Sequence, residues 1–513
     1  YVSGGKLMVE DDNTFNGYMY IYNTAVMKDS YIHVRNSQMY RFYLYSASYN
    51  FENCQFTITD SSFTHQIYFY TGRSFVNTPI TIQYVTHTAS GLTIQAAQYV
   101  DGSVISIIGF QGLTATRAYL YIKPRASRVL ISDSYFKGGL TQSGAVSNSF
   151  YEIYRSNFQQ KMTFSSAQVN TGSKLYWDTN HFAQGIDFTS SAVLNSYFRI
   201  SDSWISGSAD NALEFVSSSY FTSSYFFLDS NTIQSYYHCI HGDSGSRINA
   251  GSGFHLRNNT MNPTRAGQDS ISYYFGNKGQ IWLESSNRFH NDLYLYFYGQ
   301  MFNSTIYITG SKIRQCYIHV TYDVVDSYFA ATGNWFTSTV TFSVAQNFTR
   351  SRMIWLQNTM SGSMAITLAS LYKSSLSYID NTVVTTSATT FSYKMWEAEL
   401  CFFNNTLNAA FNLAVKAEGW SVVTVSNNSF SKRVTVSQLY SRSSLQFIAN
   451  RLTDIYFSSM SFYASVLRMK LNYIQPVSYH AVYVTSSPLY QGAVHIWEDN
   501  YIDTYSRTYS AVY

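Results

Sequence analysis

Hydrophobic and polar positions along this chain repeat one short phrase. The phrase is an apolar, strand-like run, a polar pair that ends in Asn, one variable residue and a further apolar residue. It occurs at Asn180, Asn231, Asn259, Asn287, Asn334, Asn358, Asn381, Asn405, Asn428, Asn450, Asn472 and Asn500. Ser takes the place of Asn at Ser134, Ser156, Ser203 and Ser311. From residue 134 onwards the spacings lie between 22 and 28 residues, which indicates a repeat architecture.

Each position of the phrase has a physical role in a stack of parallel strands. Such strands lie about 4.8 Å apart, so a residue type that recurs once per coil forms a column. Asn tolerates the left-handed or bridge geometry of a sharp corner, and stacked amides hydrogen-bond to one another. The apolar residue two positions later points inward, and the residue between them faces solvent. We therefore predict an all-β fold, a single right-handed parallel β-helix (solenoid) of about twenty coils, with 22–28 residues per coil.

The repeat also sets the expected domain organisation. Ser30 and Cys54 are each followed by an apolar residue two positions later, and we use them to extend the register toward the N-terminus. Between about residues 60 and 130 the phrase is not visible, and coils are placed there by continuity. No Pro-rich stretch or charge block marks a linker. We expect residues 1–513 to form one continuous domain, which is complete or is a segment of a longer chain.

Other repeat folds and other classes of protein fit less well. A β-propeller needs about 40 to 50 residues per blade, and a leucine-rich repeat needs a Leu framework that is missing here. Charged residues make up 12% of the chain and aromatic residues 18%, which excludes a disordered chain. The net charge is +4 with scattered Lys and Arg, so no nucleic-acid partner is expected. No apolar run reaches the roughly 18 residues of a membrane span.

The four cysteines predict neither disulfides nor a metal site. Cys54, Cys239, Cys316 and Cys401 are separated by 185, 77 and 85 residues, without a CxxC pair. These separations place them several coils apart, beyond the roughly 5–6 Å between Cα atoms that a disulfide requires. We expect buried free thiols. No metal and no cofactor is expected, because none of the motifs that bind them is present.

Several segments resemble a known repeat class. They are similar to the parallel β-helix repeat of pectate-lyase-like proteins, and the NNT and NNS corners also resemble β-helix surface proteins of protozoa, such as the dispersed gene family of trypanosomes. The segments are FFLDSNTIQSYYHCI (226–240), MIWLQNTMSGSMAITL (353–368), CFFNNTLNAAFNLAV (401–415) and VVTVSNNSFSKRVTV (422–436). The resemblance implies a β-helix that is either a surface protein or an enzyme acting on polysaccharides.

Acceptor sequons for N-glycosylation supply a hypothesis about location. They begin at Asn258, Asn303, Asn347, Asn404 and Asn427. Three of these precede a ladder Asn directly, where an exposed corner would accept a glycan. The competing interpretation is that NNT and NNS are simply good corner sequences. If glycans are attached, the protein is extracellular or displayed at the cell surface.

An enzymatic site requires carboxylates that cluster on one face. The longest coils, between residues 203 and 287, contain the best candidates. Here Asp210 and Asp243 would act as acid and base, with His241 orienting them. The alternative, which we prefer, is that these are solvated loop residues and that the chain has no catalytic residues.

Tyrosine-rich strands and the chain ends favour a structural role. YMYIYN (18–23), YRFYLYSASY (40–49) and YLYFYGQ (294–300) alternate, so half of their rings must face outward. No amphipathic capping helix is evident at either end, and exposed strand edges template further pairing. We expect an extracellular structural or adhesive rod or filament subunit that self-associates end to end or laterally. A carbohydrate or cell-surface ligand is a further expected partner, and a glycan-binding tailspike-like module is the second alternative to catalysis.

Overall fold

The computed structural model of the chain consists of β-strands and turns. It describes residues 2–165, 169–189, 192–216, 220–242, 247–248, 251–265, 269–274, 280–284, 286–297, 300–385, 388–476, 480–485, 492–503 and 510–512, and none of these is helical. They form a parallel β-solenoid of about 19 turns, which confirms the predicted all-β parallel β-helix. The chain divides into two compact units, Tyr1–Tyr274 and Phe275–Tyr513, which are considered separately below. The single continuous domain stays a prediction.

One strand of four or five residues per coil forms the first face, called face 1. Its residues alternate: in Arg352–Leu356, Met353 and Trp355 are buried while their neighbours are not. In the first unit the face 1 strands are Lys6–Val9, Tyr31–Arg35, Gln55–Thr59, Ile80–Gln83, Val104–Ile108, Arg128–Ser132, Phe150–Tyr154, Lys174–Asp178, Tyr197–Ser201, Tyr225–Asp229 and Gly253–Arg257. In the second unit they are Gln280–Leu283, Thr305–Thr309, Tyr328–Thr332, Arg352–Leu356, Ser375–Ile379, Glu399–Phe403, Val422–Ser426, Ser444–Ile448, Val466–Lys470 and Val494–Glu498.

The second face, face 2, begins with a short strand after a corner and continues in a longer one. In the first unit its strands are Thr14–Asn23, Gln38–Ser46, Ser62–Phe63, Ile67–Thr71, Thr86–His87, Leu92–Ala96, Gln111–Gly112, Ala118–Tyr121, Tyr135–Phe136, Leu140–Ser143, Asn157–Phe158, Met162–Ser165, His181–Phe182, Ile186–Thr189, Trp204–Gly207, Leu213–Val216, Thr232–Ser235, Ile240–Gly242, Thr260–Pro263 and Asp269–Tyr274. In the second unit the short strands are Arg288–Phe289, Lys312–Ile313, Trp335–Phe336, Thr359–Met360, Thr382–Val383, Thr406–Leu407, Ser429–Phe430, Arg451–Leu452, Tyr473–Ile474 and Tyr501–Ile502.

A third face closes each coil before the chain returns to face 1. Separate short strands form it at Val2–Ser3, Met27–Lys28, Phe51–Glu52, Phe75–Val76, Val100–Asp101, Pro124–Arg125, Val169–Thr171, Ala192–Leu194, Tyr220–Thr222, Arg247–Ile248, Met301–Phe302 and Val324–Val325. Elsewhere in the second unit, faces 2 and 3 share longer strands: Val340–Thr349, Met364–Tyr372, Thr389–Trp396, Phe411–Glu418, Val434–Ser441 and Ile455–Tyr463. The strands Asp292–Phe297, Cys316–Val320, His480–Thr485 and Ser510–Val512 belong to face 2. Three pairings of the longer strands contain a register shift and a fourth runs unbroken for eight residues, which lets one strand serve two faces.

Two sharp corners delimit face 1, and the asparagines stand at the first of them. In the second unit each ladder amide donates from Nδ2 to Oδ1 of the next one at 2.8–3.1 Å, from Asn334 through to Asn500. Each Nδ2 also donates to a backbone carbonyl of the preceding coil, as Asn381 does to Trp355 O at 2.9 Å. In the first unit Asn231 and Asn259 make the same contact at 3.1 Å. The buried amides are thereby satisfied, which aligns successive coils.

The corner geometry differs from expectation in one respect. The left-handed residue is the one before each ladder Asn, as at Gln357 with φ 54° and Asp380 with φ 54°. This residue turns the chain and faces solvent, whereas the Asn itself must point inward to reach the backbone of the neighbouring coil. The residue after the Asn lies outward, as predicted: it is exposed or half-buried at His181, Thr232, Thr260, Arg288, Trp335, Thr406, Ser429, Arg451, Tyr473 and Tyr501.

The second corner, between face 3 and face 1, carries a column of serines that the sequence analysis did not identify. The backbone N–H of Ser327 donates to Ser351 Oγ, and that of Ser351 to Ser374 Oγ, both at 2.9 Å. Each hydroxyl donates in turn to the carbonyl two residues earlier, as Ser351 does to Thr349 at 2.7 Å. The second unit therefore has two buried polar columns rather than one, with Ala398 as an apolar member of the second.

This second column corrects the register assigned near the N-terminus. Ser30 and Cys54 follow the left-handed residues of the second corner and precede face 1 strands, so they do not belong to the Asn column. Both corners produce the same polar–x–apolar pattern, which explains the error. Between residues 60 and 130 the first-corner phrase is hidden because the buried apolar side chains of Val85 and Phe110 occupy its inward position.

The four cysteines are all free thiols. Cys54, Cys239 and Cys316 are buried as expected, and Cys401 is half-buried because it faces outward from its strand. Burial raises the pKa of the Cys239 and Cys316 thiols to about 12, so both are protonated at neutral pH.

Candidate functional sites

A cluster of charged side chains lies on face 2 of the first unit, and we call it the acidic cluster: Lys161, Asp187, Asp210 and Glu214. The parallel register places Asp187 beside Glu214, and Glu214 beside His241 of the next coil. Lys161 precedes the strand that pairs with the Asp187 strand. Asp210 is in the loop that leads into the Glu214 strand. These four residues come from three successive coils, and the stacking brings them together.

Lys161 joins the three carboxylates. Its Nζ lies 3.1 Å from Asp187 Oδ1, 3.1 Å from Asp210 Oδ2 and 3.8 Å from Glu214 Oε2. Burial raises the pKa of Asp187 to about 6; Lys161 opposes this shift, and the charges of Glu214 and Asp210 add to it. The carboxylates in turn outweigh burial and raise the pKa of Lys161. One carboxyl group that titrates near pH 6 thus lies beside two others.

Of the three predicted catalytic residues, the structure describes Asp210 and His241. Asp210 joins the acidic cluster through Lys161. His241 lies next to Glu214 in register, and its ring stacks on His238 with 5.1 Å between centroids. Asp243 lies outside the described residues. The sequence analysis missed Lys161, Asp187 and Glu214, because Asp187 and Glu214 follow their ladder residues, Asn180 and Ser203, at different distances along the chain.

A second candidate surface is formed by tyrosines on face 2 of the early coils, and we call it the tyrosine surface. Two outward columns carry it: Tyr20, Tyr43, Tyr68 and Tyr119 in one, and Tyr22, Tyr45, Tyr70 and Tyr121 in the other. Thr93 and Gln95 interrupt the two columns in the fourth coil. The two tyrosine-rich segments 18–23 and 40–49 are thus brought into direct contact.

The rings of this surface stack along the solenoid. Centroids of Tyr20 and Tyr43 are 4.7 Å apart with 7° between the ring planes, and those of Tyr45 and Tyr70 are 4.7 Å apart with 12°. Burial raises the pKa of Tyr68 to about 12, so its hydroxyl stays neutral. Stacking of this kind fixes the rings and presents their edges and hydroxyl groups outward.

Arg41 is the only charged residue in the neighbouring strands Thr14–Asn23 and Gln38–Ser46, both of which the structure describes in full. Its guanidinium carbon lies 4.9 Å from the Tyr18 ring centroid and 5.3 Å from that of Tyr43. The same side chain donates to Nδ1 of His65. The cation is therefore held against aromatic rings, so the tyrosine surface presents mainly apolar ring edges and neutral hydroxyls.

All five sequon asparagines are exposed in the structure: Asn258, Asn303, Asn347, Asn404 and Asn427. Four of them have the left-handed φ of a corner, at 45–57°, and the exception is Asn347. Asn427 Nδ2 donates to Asn404 Oδ1 at 3.2 Å, and Asn404 Nδ2 donates to Asp380 at 2.7 Å. The sequons therefore lie where a glycan would project into solvent.

The comparisons with known proteins give no family. No model of a known protein family matches the chain, and no curated protein matches it. Among the residues that the structure describes, no group of three or more His, Cys, Asp or Glu side chains is arranged to hold a metal ion. In the same residues no helix has the length and apolar character to cross a membrane.

Proposed function

We propose that this chain is an extracellular structural or adhesive protein whose copies associate laterally through the tyrosine surface, without catalysis. The tyrosine surface is the single observation that carries the proposal. Tyr20 and Tyr22 are each 58% exposed although both rings stack on tyrosines of the next coil. The occupant we infer is a second copy of the same surface.

Charge and shape favour a second copy as the partner. Two such surfaces bring together neutral ring edges and hydroxyls, and they avoid burying an unpaired carboxylate or ammonium. A twofold contact between identical patches is also the commonest way in which identical chains associate.

Sedimentation velocity over a range of concentrations tests the proposal. The wild-type chain should associate, and the triple variant Tyr20→Ser, Tyr22→Ser, Tyr45→Ser should sediment as a monomer. Tyr84→Ser is a matched control, because Tyr84 is also 58% exposed but lies at the first corner. A wild-type chain that stays monomeric, or a triple variant that associates like the wild type, would contradict the proposal.

The exposed sequons support the extracellular location. The resemblance of the NNT and NNS corners to protozoan β-helix surface proteins points the same way. Expression through a eukaryotic secretory pathway should give a chain whose mass falls on treatment with peptide N-glycosidase. Asn404→Gln should remove part of that mass difference. A secreted chain of unmodified mass would refute glycosylation at these corners.

The acidic cluster favours a second candidate function, a polysaccharide lyase or glycoside hydrolase of the pectate-lyase-like type. The observation behind it is the pKa of Asp187, about 6, next to a second carboxylate on Glu214. A carboxyl group that is protonated near neutral pH suits a general acid, and an ionised neighbour suits a base. Because a raised pKa keeps Asp187 protonated only below about pH 6, activity should fall as pH rises through that value.

An activity screen on polygalacturonate and neutral polysaccharides separates the two functions. If the acidic cluster is catalytic, Asp187→Asn and Asp210→Asn should each abolish product formation. Asp133→Asn is the control, because Asp133 is an exposed carboxylate that pairs with Arg155 at 2.7 Å away from the cluster. Absence of any activity in the wild-type chain would leave the non-catalytic proposal as the better account.

A further inference from the structure

An open groove runs along the second corner of the second unit, and it lies outside both candidate sites described above. Its volume is about 470 Å³, within the range of small-molecule sites. One wall is the column of left-handed residues, the other is the column of residues that begin face 1 strands, and the buried serines form its floor. The charged lining residues are Asp326, Arg350, Arg352, Lys373, Glu397 and Glu399.

The charges of this corner groove balance. Three cations and three carboxylates line it. Arg350 and Asp326 form a two-pronged ion pair at 2.7 and 2.8 Å, and Lys373 pairs with Glu397 at 3.5 Å. Among the described residues, Arg352 and Glu399 have no ion-pair partner. The groove thus offers one unpaired cation and one unpaired carboxylate, which suits a neutral, polyhydroxylated ligand better than a charged one.

Ala398 interrupts the serine column beneath the groove. The backbone N–H groups of Ser327 and Ser351 donate to the hydroxyl of the next coil, but Ala398 occupies the position that follows Ser374. Among the contacts of the described residues, the Ser374 N–H has no acceptor. Because the buried Ala398 side chain covers that N–H, contact with a ligand falls to the charged side chains that line the groove.

Trp420 stands at the end of the groove. It is the next left-handed residue after Glu397 in the same wall, because Glu399 pairs with Val422 and Glu397 N donates to Gly419 O. Its side chain is 78% exposed, and its φ of 70° is unusual for so large a residue. Gly419 is required beside it, since a Cβ there would lie 2.7 Å from the Trp396 ring. An exposed indole beside a polar groove points to a ligand contact.

We infer that the corner groove binds a neutral oligosaccharide. Trp420 stacks against the apolar face of one sugar ring, while Arg352 and Glu399 bond to hydroxyl groups of the neighbouring rings. This site goes beyond the proposed self-association and is independent of it, because the tyrosine surface lies in the other unit. A failure of either proposal leaves the other standing.

Isothermal titration calorimetry on the full chain tests the inference with three neutral probes, cellotetraose, mannotetraose and tetra-N-acetylchitotetraose, and with tetragalacturonate as an anionic probe. At least one neutral tetrasaccharide should bind and shift the tryptophan emission. Trp420→Asn keeps a residue suited to a left-handed φ and should weaken binding about tenfold or more. Trp335→Ala, an exposed tryptophan at the first corner, should leave affinity unchanged.

Two further variants address the polar contacts. Arg352→Ala and Glu399→Ala should each weaken binding severalfold, and circular dichroism should show both chains folded. Ala398→Ser is the matched control, because it changes only the buried column and should leave binding unchanged. Absence of binding by all neutral probes, binding of tetragalacturonate alone, or an affinity that Trp420→Asn does not change would each overturn the inference.

Discussion

The two corners of the second unit make the same turn with different buried residues. At the first corner each Asn amide bonds to the amide of the next coil and to a backbone carbonyl, so side chain links to side chain along the column. At the second corner the Ser hydroxyls bond to a carbonyl of their own coil and, at 3.0–3.5 Å, to one of the preceding coil, and Ser351 accepts one N–H from the preceding coil, but no hydroxyl bonds to the next side chain in the contacts of Ser327, Ser351 and Ser374. A continuous amide column is therefore the stronger constraint on coil alignment, and the serine column is the more tolerant of replacement.

Asn381→Ala should be the most damaging single change at either corner. It leaves the N–H and Nδ2 of Asn358 and the Trp355 carbonyl without their partner, inside the protein. We expect a loss of about 4 kcal/mol in the free energy of unfolding, against about 1.5 kcal/mol for Ser351→Ala. Urea denaturation followed by circular dichroism measures both. Equal losses would show that the two columns do not differ as argued.

Ala398→Ser should stabilise the second corner. The new hydroxyl would accept the Ser374 N–H, which now has no acceptor among the described contacts. We expect a gain of about 1 kcal/mol in the free energy of unfolding. The matched control is Ala417→Ser, a buried alanine away from the column, which should destabilise the chain. A loss of stability in Ala398→Ser would mean that the column geometry does not extend through this coil.

Ser311→Asn should strengthen the first corner by completing its amide column. Ser311 is the one Ser at this position in the second unit, between Asn287 and Asn334, and its N–H already donates to Asn334 Oδ1 at 3.0 Å. An amide there adds side-chain bonds to the neighbouring coils, for a gain of about 1 kcal/mol at most. A thermal unfolding midpoint below that of the wild type would show that the coil of Ser311 has no room for an amide side chain.

The smallest effect should be the same at both corners. Ala449 at the first corner and Ala464 at the second have φ of 54° and 47°, and both are exposed. Replacing either with Gly relieves the left-handed conformation but loosens the unfolded chain, for a net gain of about 0.5 kcal/mol. Parallel denaturation curves of the two variants check this. Unequal gains in the free energy of unfolding would show that the left-handed turn residues, and not only the buried Asn and Ser, make the two corners differ in stability.

The fold was predictable because its signals are local. Alternation within a strand and one Asn per coil both appear as fixed spacings in the sequence, and they gave the all-β solenoid and the period. The serine column escaped notice because Ser is frequent throughout the chain and forms the same phrase at Ser30 as a first-corner residue does. The same ambiguity misplaced Cys54.

The candidate sites were less predictable. Asp210 was found, but Lys161, Asp187 and Glu214 were not, because no short motif contains them. The tyrosine surface was visible as outward rings, yet the sequence could not tell which rings would stack. Trp420 looked like any other aromatic residue until its exposure and its place at the end of a groove were known.

The sequence by itself determined the period, the alternation of inward and outward residues, and the asparagines that mark one corner. Those features depend on interactions within a strand or on one residue per coil. Only the tertiary structure decided which outward side chains of different coils meet. Loops of different length set which residues of successive coils pair with each other. A shift of one residue in that pairing would turn a side chain to the opposite face of its strand. The candidate sites of this protein depend on those contacts between coils.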